Sequence, residues 1–340
     1  MSDKEIRKIA VIGAGSWGTT LANLLAQKGY GVDMWVREEE VFHQIQKDRI
    51  NHVFLPEIPL VPELQVVRSF EEALLEKDLV LMVVPSHVFR EVLGRIKPYM
   101  KPGMEIIAAT KGIENDTLMT MSQVAESVIP VEYTRRFSCI SGPSFAREVA
   151  LKEPTAVTIA CRDMAHGEGL QRVFYTEYFR VYVTRDLMGV QLGGALKNVI
   201  AIAAGASDGL RFGYNTRAAL ITRGLAEITR LGVAMGANPL TFAGLAGIGD
   251  LVLTCTGDLS RNRTVGLKIG KGMGLEEITA GMKMVAEGVK TTRSAYELAK
   301  KTGVEFPITE QVYQVLYEGK VPREAVKELM TRELKNELEH

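Results

Sequence analysis

Three near-continuous apolar runs, "RKIAVIGAG", "DLVLMVVPS" and "MEIIAATKG", constrain the first half of the chain more than any other feature. A strand that is apolar at almost every position has both faces covered, which is the situation of strands in a parallel sheet flanked by helices. Amphipathic segments lie between the runs. "TTLANLLAQKG" places Leu21, Leu24, Leu25 and Lys28 at helical spacing and stops at Gly29, and "GVDMWVR" follows as the next strand. "FSCISGPSFA", "TAVTIAC" and "FRVYVTRD" read as further strands. Strands alternating with helices predict a doubly wound parallel sheet.

After about Asp186 the texture changes. "LGGALKNVIAIAAGASDGL" and "NTRAALITRGLAEITRLGVAMG" have a helical period, and no buried-strand run returns. The predicted architecture is α/β, with the doubly wound sheet over residues 1–186 and an all-α domain over 187–340. Lysine plus arginine equals aspartate plus glutamate, 41 each, so overall charge gives no reason to expect a nucleic-acid or membrane partner. No apolar run is read as long enough to span a bilayer, which takes about 20 residues. The charged start "MSDKEIRKIAVIG" runs straight into a strand and predicts no signal peptide. Cys139, Cys161 and Cys255 are too few and too far apart for a disulfide framework, and neither they nor the five histidines have metal-site spacing. The expectation is a reducing cytoplasmic setting and no metal.

The first apolar run ends in "VIGAGSWGTT", where Gly13, Gly15 and Gly18 satisfy G-x-G-x-x-G. A strand precedes, a helix follows, and a second strand comes within about thirty residues, the context that makes the motif a dinucleotide fingerprint. Gly13 permits the tight turn, Gly15 lets the backbone approach a pyrophosphate, and Gly18 lets helix and strand pack closely. The helix then offers free N–H groups and roughly half a positive charge. The first domain is therefore of Rossmann type. The residue ending the second strand selects the cofactor, an acid for NAD and an arginine for NADP. Arg37 holds that place in "VDMWVREEE", which favours NADPH, while Glu38 to Glu40 blunt its field and leave NADH accepted as well.

Ligands bind at the carboxyl edge of such a sheet. Lys111 stands there in "TKG", and position alone leaves it between a solvated loop lysine and a site residue. In "GGALKNV", Lys197 sits among small apolar residues. Burial there would lower its pKa and suit it to acid–base work, whereas a snorkelling side chain fits the same pattern. Hydride delivery to a ketone creates an alkoxide that needs a proton and nearby positive charge, and Lys197 offers both. In "GLAGIGDLVLTCTGDLSRNRTVG", Asp250 is read in a flexible glycine-flanked turn. Ser260, Arg261 and Asn262 suit a phosphate, with a surface loop and helix cap as the alternative.

These residues bring the chain to a known family. "VIGAGSWGTTLA", "VVPSH", "ATKGIE", "SGPSFAREV", "GALKNVIAIAAG", "NTRAALITRGLAEI", "TFAGLAGIGDLVLTCTGDLSRN" and "VAEGVKTTRSAYELAKK" together resemble, in order and over the full length, bacterial-type NAD(P)-dependent glycerol-3-phosphate dehydrogenases. The resemblance implies NAD(P)H-dependent reduction of dihydroxyacetone phosphate to sn-glycerol 3-phosphate for phospholipid synthesis, in a cytoplasmic, commonly dimeric, metal-free enzyme. It implies that Lys197 is the proton donor and acceptor and that Lys111 is a substrate-side lysine also near the cofactor. Asp250 is expected to orient Lys197. Gly142, Ser144, Asp250, Ser260, Arg261 and Asn262 match substrate positions. Ser16, Trp17, Arg37, Ala146, Arg261, Val285 and Glu287 match cofactor positions. Two rival readings are a related two-domain dehydrogenase acting on a β-hydroxy acid or sugar acid, and an NADPH sensor without turnover.

Overall fold

The computed structural model describes residues 5–282, 286–334 and 336–337. The chain divides into two compact units. The first holds residues 1–111 and 121–187, and the second holds 112–120 and 188–340. The short segment 112–120, read from sequence as part of the first domain, joins the second unit; within it Ile113 bridges Thr120 in antiparallel fashion.

The first unit is built on an eight-stranded sheet. Its strands are β1 (Lys8–Ile12), β2 (Gly31–Trp35), β3 (Gln65–Val67), β4 (Leu79–Met82), β5 (Glu105–Ala108), β6 (Ser138–Ser141), β7 (Thr155–Cys161) and β8 (Phe179–Thr184). Across the sheet they run β8-β7-β6-β5-β4-β1-β2-β3. The first six are parallel in the order 3-2-1-4-5-6, so the topological switch point falls between β1 and β4. The expected all-parallel sheet is corrected at its far edge: β7 pairs antiparallel with β6, from Ser138 opposite Cys161 to Ser141 opposite Thr158, and β8 is parallel to β7. Hydrophobic runs show that strands are buried but carry no sign of their direction, which is why the sequence does not reveal the reversal.

The apolar runs become the core as the pattern requires. Ile9, Val11, Leu79, Leu81 and Ile107 on the strands, with Leu21 and Leu25 on helix α1 (Ser16–Gln27), are fully buried. Burying each such side chain contributes about 1.5–3 kcal/mol relative to exposure.

The second unit is helical. Its frame includes α2 (Leu187–Gly209), α3 (Tyr214–Ala234), α4 (Asp250–Thr256), α5 (Arg261–Gly270), α6 (Glu287–Thr302) and α7 (Pro307–Tyr317). Helix α2 is long and apolar enough to cross a membrane by composition, contrary to the sequence reading, yet 89% of its most apolar window is buried inside the protein. Its apolarity is that of a core helix covered on all sides. A second apolar window, Pro239–Thr256, is broken into Pro239–Phe242, Leu245–Gly249 and Asp250–Thr256 rather than forming one rod. Glycine sets how closely α2 meets α5. A Cβ on Gly205 would lie 2.0 Å from the Arg263 carbonyl oxygen, and one on Gly266 would lie 2.0 Å from that of Ile202. That approach brings the helix bearing Lys197 against the helix that begins at Arg261.

Candidate active site

In the first unit the glycine turn stands at the switch point. Gly13 takes φ +120°, and a Cβ there would meet the Val83 carbonyl oxygen at 2.7 Å. At Gly18 a Cβ would lie 1.9 Å from the Gly13 carbonyl oxygen, so only glycine lets α1 start this close to the turn. Gly15 differs, because a Cβ there would meet nothing within 4 Å. Its side of the turn is open, so packing within the protein does not demand glycine there. Gly15 caps α1, whose first intrahelical bond runs from the Thr19 N–H to the Gly15 carbonyl at 2.9 Å. The N–H groups before it point out of the helix end, where an anion is stabilised. These residues fit the pyrophosphate of a dinucleotide.

The side chains around the turn are largely committed within the unit. Ser16 Oγ donates to the Phe54 carbonyl at 2.6 Å. Trp17 packs against Phe179 with ring centroids 6.3 Å apart, and its indole N–H is buried with no hydrogen-bond partner. What these two residues present at the helix end is backbone. Ala146 opens the helix Ala146–Ala150, and its carbonyl accepts from Thr20 Oγ1 at 3.1 Å. Arg37 lies two residues beyond β2, exposed, with its guanidinium on Glu38 through Nη2 at 2.6 Å and Nε at 2.9 Å. The acidic neighbour weighed from sequence is thus a direct ion-pair partner. Lys111 is half-buried, and its Nζ donates to the Gly142 carbonyl at 3.1 Å. Ser144 Oγ donates to the same carbonyl at 2.9 Å, so this unit gathers Lys111, Gly142 and Ser144 at one point.

In the second unit Lys197 is buried, 7% exposed, and does not snorkel. Its Nζ donates to Asp250 Oδ1 and to Thr254 Oγ1, both at 2.6 Å. Asp250 is 1% exposed and opens α4, which corrects the reading of a flexible turn. The neighbouring glycines serve packing there, with Gly247 pressed against Phe242 so closely that a Cβ would lie 2.1 Å from its carbonyl oxygen. Thr254 was not singled out from sequence. It stands one helical turn after Asp250, a spacing that puts both on one face, and its Oγ1 also donates to the Asp250 carbonyl at 2.6 Å. Nearby Cys255 is fully buried, and burial pushes its thiol up to about 12 against the opposing pull of Lys197, so it is inert as a nucleophile at neutral pH.

Ser260 is the N-cap of α5, accepting from the Arg263 N–H at 3.2 Å. The helix-cap alternative therefore holds for its hydroxyl. It also sets Arg261 and Asn262 in the first turn of a helix, where an anion is stabilised. The Arg261 side chain reaches solvent, while surrounding protein lowers its pKa and Glu287 opposes that shift; the group stays cationic at neutral pH. The Asn262 side chain is turned inward. Its Nδ2 donates to Asn198 Oδ1 at 2.9 Å, and its Oδ1 accepts from the Gly288 N–H at 2.9 Å, joining α2, α5 and α6. Only its backbone lies at the helix end. Arg263 bonds Asp208 through Nε at 2.9 Å, and Arg217 takes the other oxygen of that carboxylate at 2.6 Å. Glu287 begins α6, and Val285 lies outside the described residues.

A dinucleotide turn in one unit and a buried lysine–carboxylate couple in the other define a nicotinamide-nucleotide oxidoreductase. Family models for the N-terminus and the C-terminus of NAD-dependent glycerol-3-phosphate dehydrogenase match residues 8–167 and 186–327. The chain belongs to that family. It is 62% identical over 330 residues to the glycerol-3-phosphate dehydrogenase [NAD(P)+] of Geobacter sulfurreducens, covering 97% of this chain and 98% of that one. The same enzyme of Syntrophobacter fumaroxidans is 57% identical, with 97% of each chain covered. The crystal structure of glycerol-3-phosphate dehydrogenase from Coxiella burnetii superposes with a TM-score of 0.91 at 40% identity, covering 96% of this chain and 99% of that one. Membership over both halves sets aside the two rival readings.

Proposed function

We propose that the chain reduces dihydroxyacetone phosphate to sn-glycerol 3-phosphate with NADPH, accepting NADH as well, and that Lys197 is the acid–base group. The observation that carries this reading is the buried Lys197 ammonium held at 2.6 Å by Asp250 and Thr254. A nicotinamide dinucleotide held at the glycine turn would supply the hydride that C2 of the ketone accepts. Lys197 and Lys111 polarise the carbonyl before transfer, and Lys197 gives its proton to the oxygen as the alkoxide forms. Asp250 and Thr254 aim the ammonium and balance its charge. Arg261 and the first N–H groups of α5, at Ser260 to Asn262, hold the substrate phosphate. Lys111, Gly142 and Ser144 form the substrate-side group of the first unit, with Lys111 also near the cofactor. The turn from Gly13 to Gly18 with Ser16 and Trp17 takes the pyrophosphate, Arg37 takes the 2′-phosphate, and Ala146, Arg261, Val285 and Glu287 complete the cofactor contacts. The enzyme is read as a cytoplasmic homodimer that feeds phospholipid synthesis, on the strength of the family likeness.

A substrate panel tests the reading. Purified protein is expected to oxidise NADPH with dihydroxyacetone phosphate and to ignore unphosphorylated dihydroxyacetone and β-keto acids. Equal turnover of the unphosphorylated ketone would remove the phosphate role from Arg261.

A further inference from the structure

The residues between β2 and β3 include a small antiparallel hairpin, Ile50–Asn51 with Leu55–Pro59, that the sequence reading leaves without a role. Asn51 is fully buried, at 0% exposure. Its Nδ2 donates to the Ala14 carbonyl and to Thr19 Oγ1, each at 2.9 Å, and its Oδ1 accepts from the Phe54 N–H at 3.0 Å. Thr19 Oγ1 donates to the same Ala14 carbonyl at 3.2 Å. The hairpin is fastened a second time where Ser16 Oγ meets the Phe54 carbonyl.

The Ala14 carbonyl and the Gly15 N–H belong to one peptide group. That group is planar and trans, so the two bonds point in opposite directions. A carbonyl held inward by two donors fixes the N–H on the opposite side of the peptide, and at the same residue a Cβ on Gly15 would meet nothing within 4 Å. A buried amide with three good partners has no other orientation to adopt, since turning it would leave polar atoms unpaired.

We propose that Asn51 is a positioning residue for the dinucleotide: it locks the Ala14–Gly15 peptide so that the Gly15 N–H faces the pyrophosphate. The inference rests on the reading of the glycine turn as the cofactor site. Its cost falls on cofactor affinity, not on chemistry, and it falls equally on both nicotinamide dinucleotides, because they share the pyrophosphate.

The test is a fluorescence titration of NADPH and of NADH into wild type, Asn51→Ala and Thr19→Val, with a thermal melt of each protein. Asn51→Ala is expected to weaken both cofactors by about the same factor, roughly 5- to 20-fold, the range for one lost hydrogen bond plus a loosened turn. The KM for cofactor should rise in parallel while kcat at saturating cofactor holds. Thr19→Val removes one of the two donors to Ala14 and should weaken both cofactors by a smaller common factor. Folded Asn51→Ala with wild-type affinity would overturn the inference, and so would a loss confined to NADPH. If Asn51→Ala does not fold, unchanged affinity in Thr19→Val would overturn it. Wild type that binds neither cofactor would instead overturn the reading of the turn itself.

Discussion

Lys197 Nζ lies 2.6 Å from Asp250 Oδ1, and the two side chains, 53 residues apart in sequence, are both buried. A buried ion pair is weak as a source of stability, because desolvation offsets much of the attraction. Its value here is orientation. Asp250→Asn keeps the shape and an acceptor while removing the charge that holds the ammonium. The expected result is a fall in kcat of about 100-fold with the KM for NADPH unchanged, measured by NADPH absorbance. A wild-type kcat would show that Asp250 serves the fold alone.

Arg261→Gln removes a guanidinium from the first turn of α5. A charge-assisted hydrogen bond is worth about 1.5–3 kcal/mol, and a bidentate grip doubles the contact, so kcat/KM for dihydroxyacetone phosphate should fall about 100-fold or more. Inorganic phosphate should inhibit the variant less than it inhibits wild type. Equal inhibition would place the phosphate elsewhere.

Arg37 is bound to Glu38 at 2.6 Å, which sets up a competition for its guanidinium. Arg37→Gln should raise the KM for NADPH by about 5- to 20-fold, the upper values being cut by exposure of the pair, and leave NADH nearly unchanged. Glu38→Gln should act in the opposite sense and lower the KM for NADPH. Steady-state kinetics with both cofactors checks both variants.

Glu227 on α3 is 1% exposed and caps α7 from outside, accepting from the Ile308 N–H at 2.7 Å and the Thr309 N–H at 3.3 Å. Burial pushes its carboxyl up to about 7 from 4.5, overcoming those two N–H groups. Between these values the folded protein holds a proton that the unfolded chain has released. Stability therefore falls as pH rises from 4.5 toward about 7, by at most about 1.4 kcal/mol per pH unit from this group. Glu227→Gln should flatten that part of the profile in chemical denaturation. A slope identical to wild type would remove Glu227 as its cause.

The parts of the site legible in sequence were those where residue type and surroundings disagree. A lysine between Gly194 and Ile200 and an acid after Gly249 are out of keeping with their neighbours, and in the structure the two form one buried pair. The glycine turn was legible because strand, turn and helix signals coincide with the spacing. Thr254 and Asn198 were harder: each is an ordinary helix residue until the tertiary fold brings it to Lys197 or Asn262. Asn51 was not legible at all, since an asparagine between Ile50 and His52, where a polar run gives way to an apolar one, gives no hint of full burial. The reversal of β7 was hidden for a similar reason, because pairing direction leaves the apolar pattern unchanged. Trp17 shows the converse case, in which the position was expected at the cofactor while its ring goes to Phe179.

The most direct test of the central claim is the rate of NADPH oxidation by dihydroxyacetone phosphate with Lys197→Met beside wild type, each checked for its melting temperature and for NADPH binding. The account predicts rapid turnover by wild type and a loss of about 100- to 10,000-fold in the variant, with cofactor affinity retained. A folded Lys197→Met protein that binds NADPH and turns over at a wild-type rate would contradict it.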